Sequence, residues 1–570
     1  MRQVGDPLAD ALAAEIFTSG ELRGKGGRLG YNRLVDLADV LEEDPELLLV
    51  EHSELAREFE AFPKGLRDYY RPMPAPAWVD AEKLEQAAEL WKQNSLAVLF
   101  VLYAASLPAC YLIKNGIPAL YQTAKLRDPK YVFQRIYETG LMLDAVMSPG
   151  GLRIVRDRVA DAGGLFREHL EQKLGGKWES RDGEFVRLDS GAAEGPTPDA
   201  QELKSHYERR IRSERAYLWG KGYISAKKVR MLHASMRCML LNPAILGSPK
   251  EPASSGSMAE RFRQAHGGWD RERLGVPVNQ EDLAFTLLTF SYLIPKGLEK
   301  IGCELSLQQK EAFLHLWRVV GHIMGLRDEL MTDRWEEAET LYNRIHRLQA
   351  GTSEDGVALT ETVMGFLSAY LPPTLGLREY LPAALIAEQM GEDAKLLMSE
   401  KNRRQLDTLW SRFLVAASTG GVRLYYRQYQ AFLAVFPFAK RLLGNLLFHA
   451  SEELVASWRD EYARKPFYVP DSVDKWKLQR GVDDRFRAKL QAWRESLFME
   501  LFGALLGLAV FFGGVLAAFL GWFSLGWEVA VGALGVAALG IIRSFQALDV
   551  GLPRLFAKRP KPEGVRVFGK

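Results

Sequence analysis

The sequence predicts an all-α fold. Apolar residues fall at helical spacing in stretches such as "LSLQQKEAFLHLWRVVGHIMGL", where Phe313, Leu316, Trp317, Val320 and Ile323 share one face. Strand-like alternation is scarce, with Glu184 to Leu188 the one candidate. From Ser353 to Pro470 the pattern stays helical, broken at "YLPPTLG" and "ASTGGVRL".

Each element follows in order. The opening "MRQVGDPLADALAAEIF" contains acidic residues and no apolar core, so no secretory signal is expected there. "DAEKLEQAAELWKQNSLAVLFVLYAASLPACYLI" runs from a charged start into the apolar Leu96–Ile113, 18 residues interrupted by Ser106, Pro108 and Cys110. That is the lower limit for a membrane span, and a buried central helix is the expectation. "RIYET" places Arg135 and Thr139 at i and i+4 on one helix face. Gly175–Glu202 and the first half of Leu246–Gly268 are rich in Gly, Pro, Ser and charge and read as loop insertions.

Between them lies "KKVRMLHASMRCML", Lys227 to Leu240. Positions i−3, i and i+4 share a helix face, so Arg230, His233 and Arg237 point together. They are either a solvated face or the holder of something that wants an imidazole and cations at once. Next, Pro277 stops the preceding segment, Asn279 can cap, and Asp282 at the third helical position suits the N-terminal dipole. In the helix after that, His315 and His322 are seven residues apart and share a face, a spacing that alone does not mark a ligand pair.

The C-terminal part differs. Leu501–Phe523 is a run of 23 residues without a charge, long enough to cross about 30 Å of hydrocarbon. Val529–Ile542 makes a second pass if Phe523–Glu528 is included, with Trp522 and Trp527 at the turn. Arg485, Arg487, Lys489 and Arg494 precede the pair; Arg543, Arg554, Lys558 and Arg559 follow it, and the turn carries only Glu528. The positive-inside rule places both ends in the cytoplasm, with a transmembrane or re-entrant hairpin between. A buried core hairpin is the competing reading.

Composition excludes several classes. The 74 basic and 72 acidic residues nearly cancel, which implies no general affinity for nucleic acid. Cys110, Cys238 and Cys303 are widely spaced, which argues against a disulfide framework or a cysteine-rich metal site. There is no phosphate loop, HExxH, GxSxG or EF-hand pattern. What the Arg230–His233–Arg237 face permits is a haem, which takes one imidazole on iron and cations or hydroxyls on its propionates.

Six segments, in one order, resemble the family of MpaB-type oxygenases and rubber oxygenases (latex-clearing proteins). They are "MRQVGDPLAD" at Met1–Asp10, "PAPAWVD" at Pro74–Asp80, "QRIYETGLMLDAVM" at Gln134–Met147, "KVRMLHASMR" at Lys228–Arg237, "GVPVNQEDLAFTLLTFS" at Gly275–Ser291 and "LHLWRVVGHIMGL" at Leu314–Leu326. The resemblance implies a globin-like helical core around haem b, with His233 as the iron ligand. It places Arg230 and Arg237 as the flanking arginines, and Arg135 and Thr139 as a polar pair near the haem. It also implies O2 chemistry on a carbon–carbon double bond of an isoprenoid.

The sequence departs from the rubber-type pattern in places. From Ile113 to Asp128, "IKNGIPALYQTAKLRD" holds no carboxylate before Asp128, so the glutamate base proposed for latex-clearing proteins has no match. Glu138 stands where those proteins have a lysine, which puts a polymer substrate in doubt. For a distal histidine, His266, His315 and His322 are the candidates.

The expected organisation is a catalytic domain over 1–400, a helical extension over 401–496, a membrane hairpin over 497–546 and a basic cytoplasmic tail over 547–570. The expected protein is a membrane-associated oxygenase, its bulk cytoplasmic, acting with O2 on a hydrophobic or lipid substrate. Arg135, Thr139, Arg230 and Arg237 would meet propionates or dioxygen. A haem-binding membrane protein without turnover, a sensor or store, is the alternative.

Overall fold

In the computed structural model the described residues are 1–18, 61–122, 129–156, 177–181, 184–187, 216–242, 269–369 and 376–437, with a few isolated positions. The apolar segments 501–523 and 529–542 lie outside them, Val510 apart, as do the 246–268 insertion with His266 and the 547–570 tail.

The described chain is mostly helical. Helix α1 is Pro7–Thr18 and α2 is Lys64–Tyr70. Helix α3, Ala81–Val101, is the apolar helix foreseen as central. It starts where the Asp80 carboxylate accepts from the N–H groups of Glu82 and Lys83. It kinks at Asn94, widens into a π-turn over Leu102–Ser106 and ends at Cys110. Ala81–Cys110 has the length and composition to cross a membrane, yet 72% of its most apolar stretch is buried inside the structure.

Helix α4 is Pro129–Met147, α5 is Lys221–Leu241, α6 is Gln280–Ser291 and α7 is Leu307–Ile323. As the sequence suggests, the Asn279 side chain caps α6 by accepting from Glu281 and Asp282 N–H groups. Phe313, Leu316, Trp317, Val320 and Ile323 are all buried along α7. There follow α8 at Trp335–Gln349, α9 at Glu354–Ala369, α10 at Leu377–Met390, α11 at Glu400–Leu406 and α12 at Leu409–Val435. The core forms where α7 packs on α3, α5 on α1, and α4 on α5. Trp91, Trp219, Trp317 and Phe313 are among its fully enclosed side chains. The three cysteines are free and buried.

Two small sheets add to the expected fold. Strand β4 (Glu184–Arg187) is the expected strand candidate, and it pairs antiparallel with β3 (Trp178–Arg181), which the reading of the segment as mostly loop did not foresee. The sequence joining them is Asp-Gly, the strongest short hairpin signal. A three-stranded sheet sets β5 (Ala216–Trp219) between β1 (Met73–Pro74) and β2 (Arg153–Arg156). Strand β5 leads straight into α5. The junction requires glycine, because Gly220 has φ +117° and a Cβ there would sit 2.4 Å from the Gly151 carbonyl oxygen.

Candidate functional site

Helix α5 brings Arg230, His233 and Arg237 together, as its periodicity requires. Both arginines are enclosed, with 8% and 2% of their surface exposed, while His233 is half-buried. The guanidinium of Arg230 grips both oxygens of Asp6, Nε to Oδ2 at 2.6 Å and Nη2 to Oδ1 at 2.8 Å. Its Nη1 donates to the Ile323 carbonyl at 3.0 Å, satisfying the C-terminal end of α7. Burial works against the charge of Arg230, but the hydrogen bond and charge of Asp6 outweigh it and raise its pKa. Gly325 makes room for this contact: its φ is +78°, and a Cβ would lie 2.5 Å from Nη2 of Arg230.

Arg237 repeats the arrangement two turns on, Nε to Asp10 Oδ1 at 2.6 Å and Nη1 to the Val278 carbonyl at 2.9 Å. Thus the guanidinium groups expected to meet propionates or dioxygen meet carboxylates of the same chain. The partners were absent from the sequence reading because they lie more than 220 residues away, in the "MRQVGDPLAD" segment. The backbone of that segment is tied down as well. Arg2 carbonyl accepts from Val276 N–H at 2.8 Å and Val4 carbonyl from Gln280 N–H at 3.0 Å. Arg2 Nη1 reaches Asp282 at 2.7 Å. Burial raises the Asp282 carboxyl to about 6, with Arg2 opposing the rise.

A third cation on α5 escaped the sequence reading. Lys227 is 5% exposed, its ammonium 4.4 Å from the centre of the Tyr69 ring and 5.4 Å from that of Tyr223. Burial pushes its pKa down to about 7, Arg230 adding to the drop and Asp6 opposing it.

Across from α5 lies α4, which carries Arg135 and Thr139. Thr139 is half-buried and Glu138 beside it is buried; the Arg135 side chain lies outside the described residues. Helix packing therefore sets the polar pair's helix against the histidine's helix.

Three other histidines are described and serve different contacts; one of them, His346, sets Nε2 2.9 Å from Asp393 Oδ2. His315 Nε2 accepts from the Asp80 N–H at 2.9 Å and its Nδ1 lies 3.0 Å from Asp333 Oδ2. It thus joins the start of α3 to the segment after α7. His315 and His322 each set a ring edge-on to Trp78, both at 5.8 Å between centres, so the shared face holds an indole. Burial lowers the pKa of His315 despite Asp333, and lowers that of His322 with Arg230, Lys227 and Arg318 adding to it.

Residues 215–428 match the family described as "ER-bound oxygenase mpaB/B'/Rubber oxygenase, catalytic domain". This segment belongs to the MpaB/rubber oxygenase family. Helices α5, α6 and α7 all fall within it, so His233, Arg230 and Arg237 are residues of the MpaB/rubber oxygenase segment, whereas Asp6, Asp10, Arg135 and Thr139 precede it. The chain is 27% identical over 154 residues to the rubber oxygenase of Streptomyces sp. (strain K30). That match covers 27% of this chain and a third (33%) of the relative's length. A solved structure, that of the latex clearing protein LCP in the closed state, aligns over 74% of this chain and 84% of its own, at 18% identity and a TM-score of 0.42.

The donor set fits a haem in part. A single half-buried imidazole on a helix lined by buried Leu232, Met236 and Leu240 fits a residue that would hold a haem iron. Arg230 fits a structural role better than a propionate partner, since its Nε, Nη1 and Nη2 all already donate.

Proposed function

We propose that this chain is a haem b-dependent oxygenase that uses O2 to oxidise or cleave a carbon–carbon double bond in a hydrophobic substrate, an isoprenoid or an unsaturated lipid. The observation that carries the reading is His233, half-buried between two arginines paired with Asp6 and Asp10, inside the segment that matches the oxygenase family. Haem b, when bound, supplies an iron centre that activates O2 toward an alkene.

The chain's own residues divide the work. His233 would hold the haem iron. Arg230 and Arg237 are positioning residues: through Asp6 and Asp10 they lock α5 to the N-terminal segment, and through Ile323 and Val278 to its neighbours, fixing the imidazole in depth and rotation. Arg135 and Thr139, on the facing helix α4, are assigned to the propionates or to orienting dioxygen. Apolar Leu232, Met236 and Leu240 keep water from the helix surface around the imidazole. The uncharged run Leu501–Phe523 supports membrane anchorage, which would place the site where a hydrophobic substrate partitions.

The test is aerobic incubation of haem-replete full-length protein with polyisoprene, short isoprenoids and unsaturated fatty acids, followed by mass analysis. Oxygenated or carbonyl-ended products that incorporate 18O2 are expected. Haem-loaded protein that yields no oxygenated product from any alkene class would favour the sensor or store.

A further inference from the structure

Among the described residues, helix α12 buries one face and leaves the other uncovered. Leu414, Thr419, Tyr426 and Tyr429 face the body of the protein. At 100° per residue, Leu409, Phe413, Ala416, Ala417, Gly420 and Leu424 fall on the opposite side. All six are exposed, with Leu409 at 84%, Phe413 at 59% and Leu424 at 55%. Trp410 stacks on Phe413 with ring centres 5.5 Å apart and is itself 39% exposed. Of the ten large apolar side chains exposed among the described residues, four lie on this one helix. That concentration is a patch, not the scatter of single residues every surface shows.

Charge identifies the occupant. The 27 residues of α12 include Arg412, Arg423 and Arg427 and no Asp or Glu. Arg412 lies about 100° from Phe413 at one edge of the apolar face and Arg427 closes its C-terminal end, while Arg423, about 80° away, is held by Glu388 at 3.0 Å and by the Lys300 carbonyl at 2.8 Å. An apolar face flanked by Arg412 and Arg427, with an aromatic pair at its exposed end, matches the interface of a bilayer with anionic headgroups. A protein groove would equally take the apolar face, but it would give no reason for a rim of one sign. We infer that α12 is a membrane-surface docking helix, lying in the headgroup region of an anionic bilayer with Leu409, Trp410, Phe413 and Leu424 toward the acyl chains. The inference is independent of the cofactor reading, since it rests on a different face of the protein.

The test uses the full chain in phosphatidylcholine–phosphatidylglycerol vesicles. The native cysteines are buried, so a thiol-reactive environment-sensitive dye reports a single introduced site. Phe413→Cys and Leu424→Cys sample the patch, and Leu348→Cys on α8, 65% exposed, is the reference. Dye at 413 and 424 is expected to shift to the blue and to be quenched by spin-labelled lipid, while dye at 348 is not. Replacing Arg412 and Arg427 by Gln, or using pure phosphatidylcholine, is expected to lower that quenching. Equal behaviour at 413 and 348 would overturn the inference. So would protection from aqueous iodide without lipid quenching, which signals cover by another part of the chain. Pyrene excimers at 413 without lipid quenching would overturn it too, naming a second copy as the occupant.

Discussion

Replacing Lys227 by Met should stabilise the protein most at neutral and acid pH, and the gain should fade as the solution becomes alkaline. In the unfolded chain a lysine titrates near 10.5; in the structure burial brings Lys227 to about 7. Between those values the unfolded state holds more protons than the folded state, so stability rises with pH across this window. Below pH 7 both states are charged and the full cost of the buried ammonium is present. A drop from 10.5 to about 7, at about 1.4 kcal/mol per pH unit, is about 5 kcal/mol. The Tyr69 and Tyr223 faces attract the ammonium, which offsets about 0.5–2 kcal/mol of that. The net expectation is that Lys227→Met is more stable by about 3–4 kcal/mol at pH 6.5, with the difference approaching zero near pH 10.5. Urea denaturation of both proteins across this range, compared as a difference, cancels groups that titrate alike in both. A difference that stays flat with pH, or a variant that is less stable at pH 6.5, would refute the reasoning.

Breaking the Asp6–Arg230 pair should be costly, since either partner alone is a buried charge. Asp6→Ala should lose about 3–5 kcal/mol, whereas Asp6→Leu combined with Arg230→Met should lose clearly less, read by denaturant midpoints. Gly220→Ala should destabilise by at least about 1–3 kcal/mol, because the residue needs a positive φ and the Cβ would press on the Gly151 carbonyl; wild-type stability would refute the packing described. His315→Ala should cost about 1–3 kcal/mol through the orphaned Asp80 N–H and Asp333, while leaving any haem absorption unchanged. Loss of the haem band in that variant would make His315 an iron ligand.

Local signals carried much of the fold in advance. The Asn279 cap, the buried face of α7 and the enclosed helix after Asp80 depend on neighbours three or four residues away, which a sequence displays directly. The partners of Arg230 and Arg237 depend on tertiary contact with Asp6 and Asp10, and no helical period links those segments. Their i, i+4 spacing opposite arginines seven apart is a trace visible only once α1 is known to lie on α5. Lys227 shows the converse limit. Its position in a basic-looking "KKVR" suggests solvent, while Tyr69 and Tyr223, from another helix and an earlier turn, enclose it. The shared face of His315 and His322 was legible, but its content was not, because Trp78 comes from a segment outside that helix. The strands β2 and β5 were missed for the same reason: each is four residues long and is defined by pairing rather than by alternation.

The central claim is that α5 presents an iron ligand. The direct measurement is the absorption spectrum of the haem-replete full-length protein beside His233→Ala. A Soret band in the wild type that is lost or shifted in the variant, with unchanged helical circular dichroism, is the result expected. A colourless wild-type protein, or a variant with an identical Soret band, would contradict the assignment of His233 and the oxygenase reading built on it.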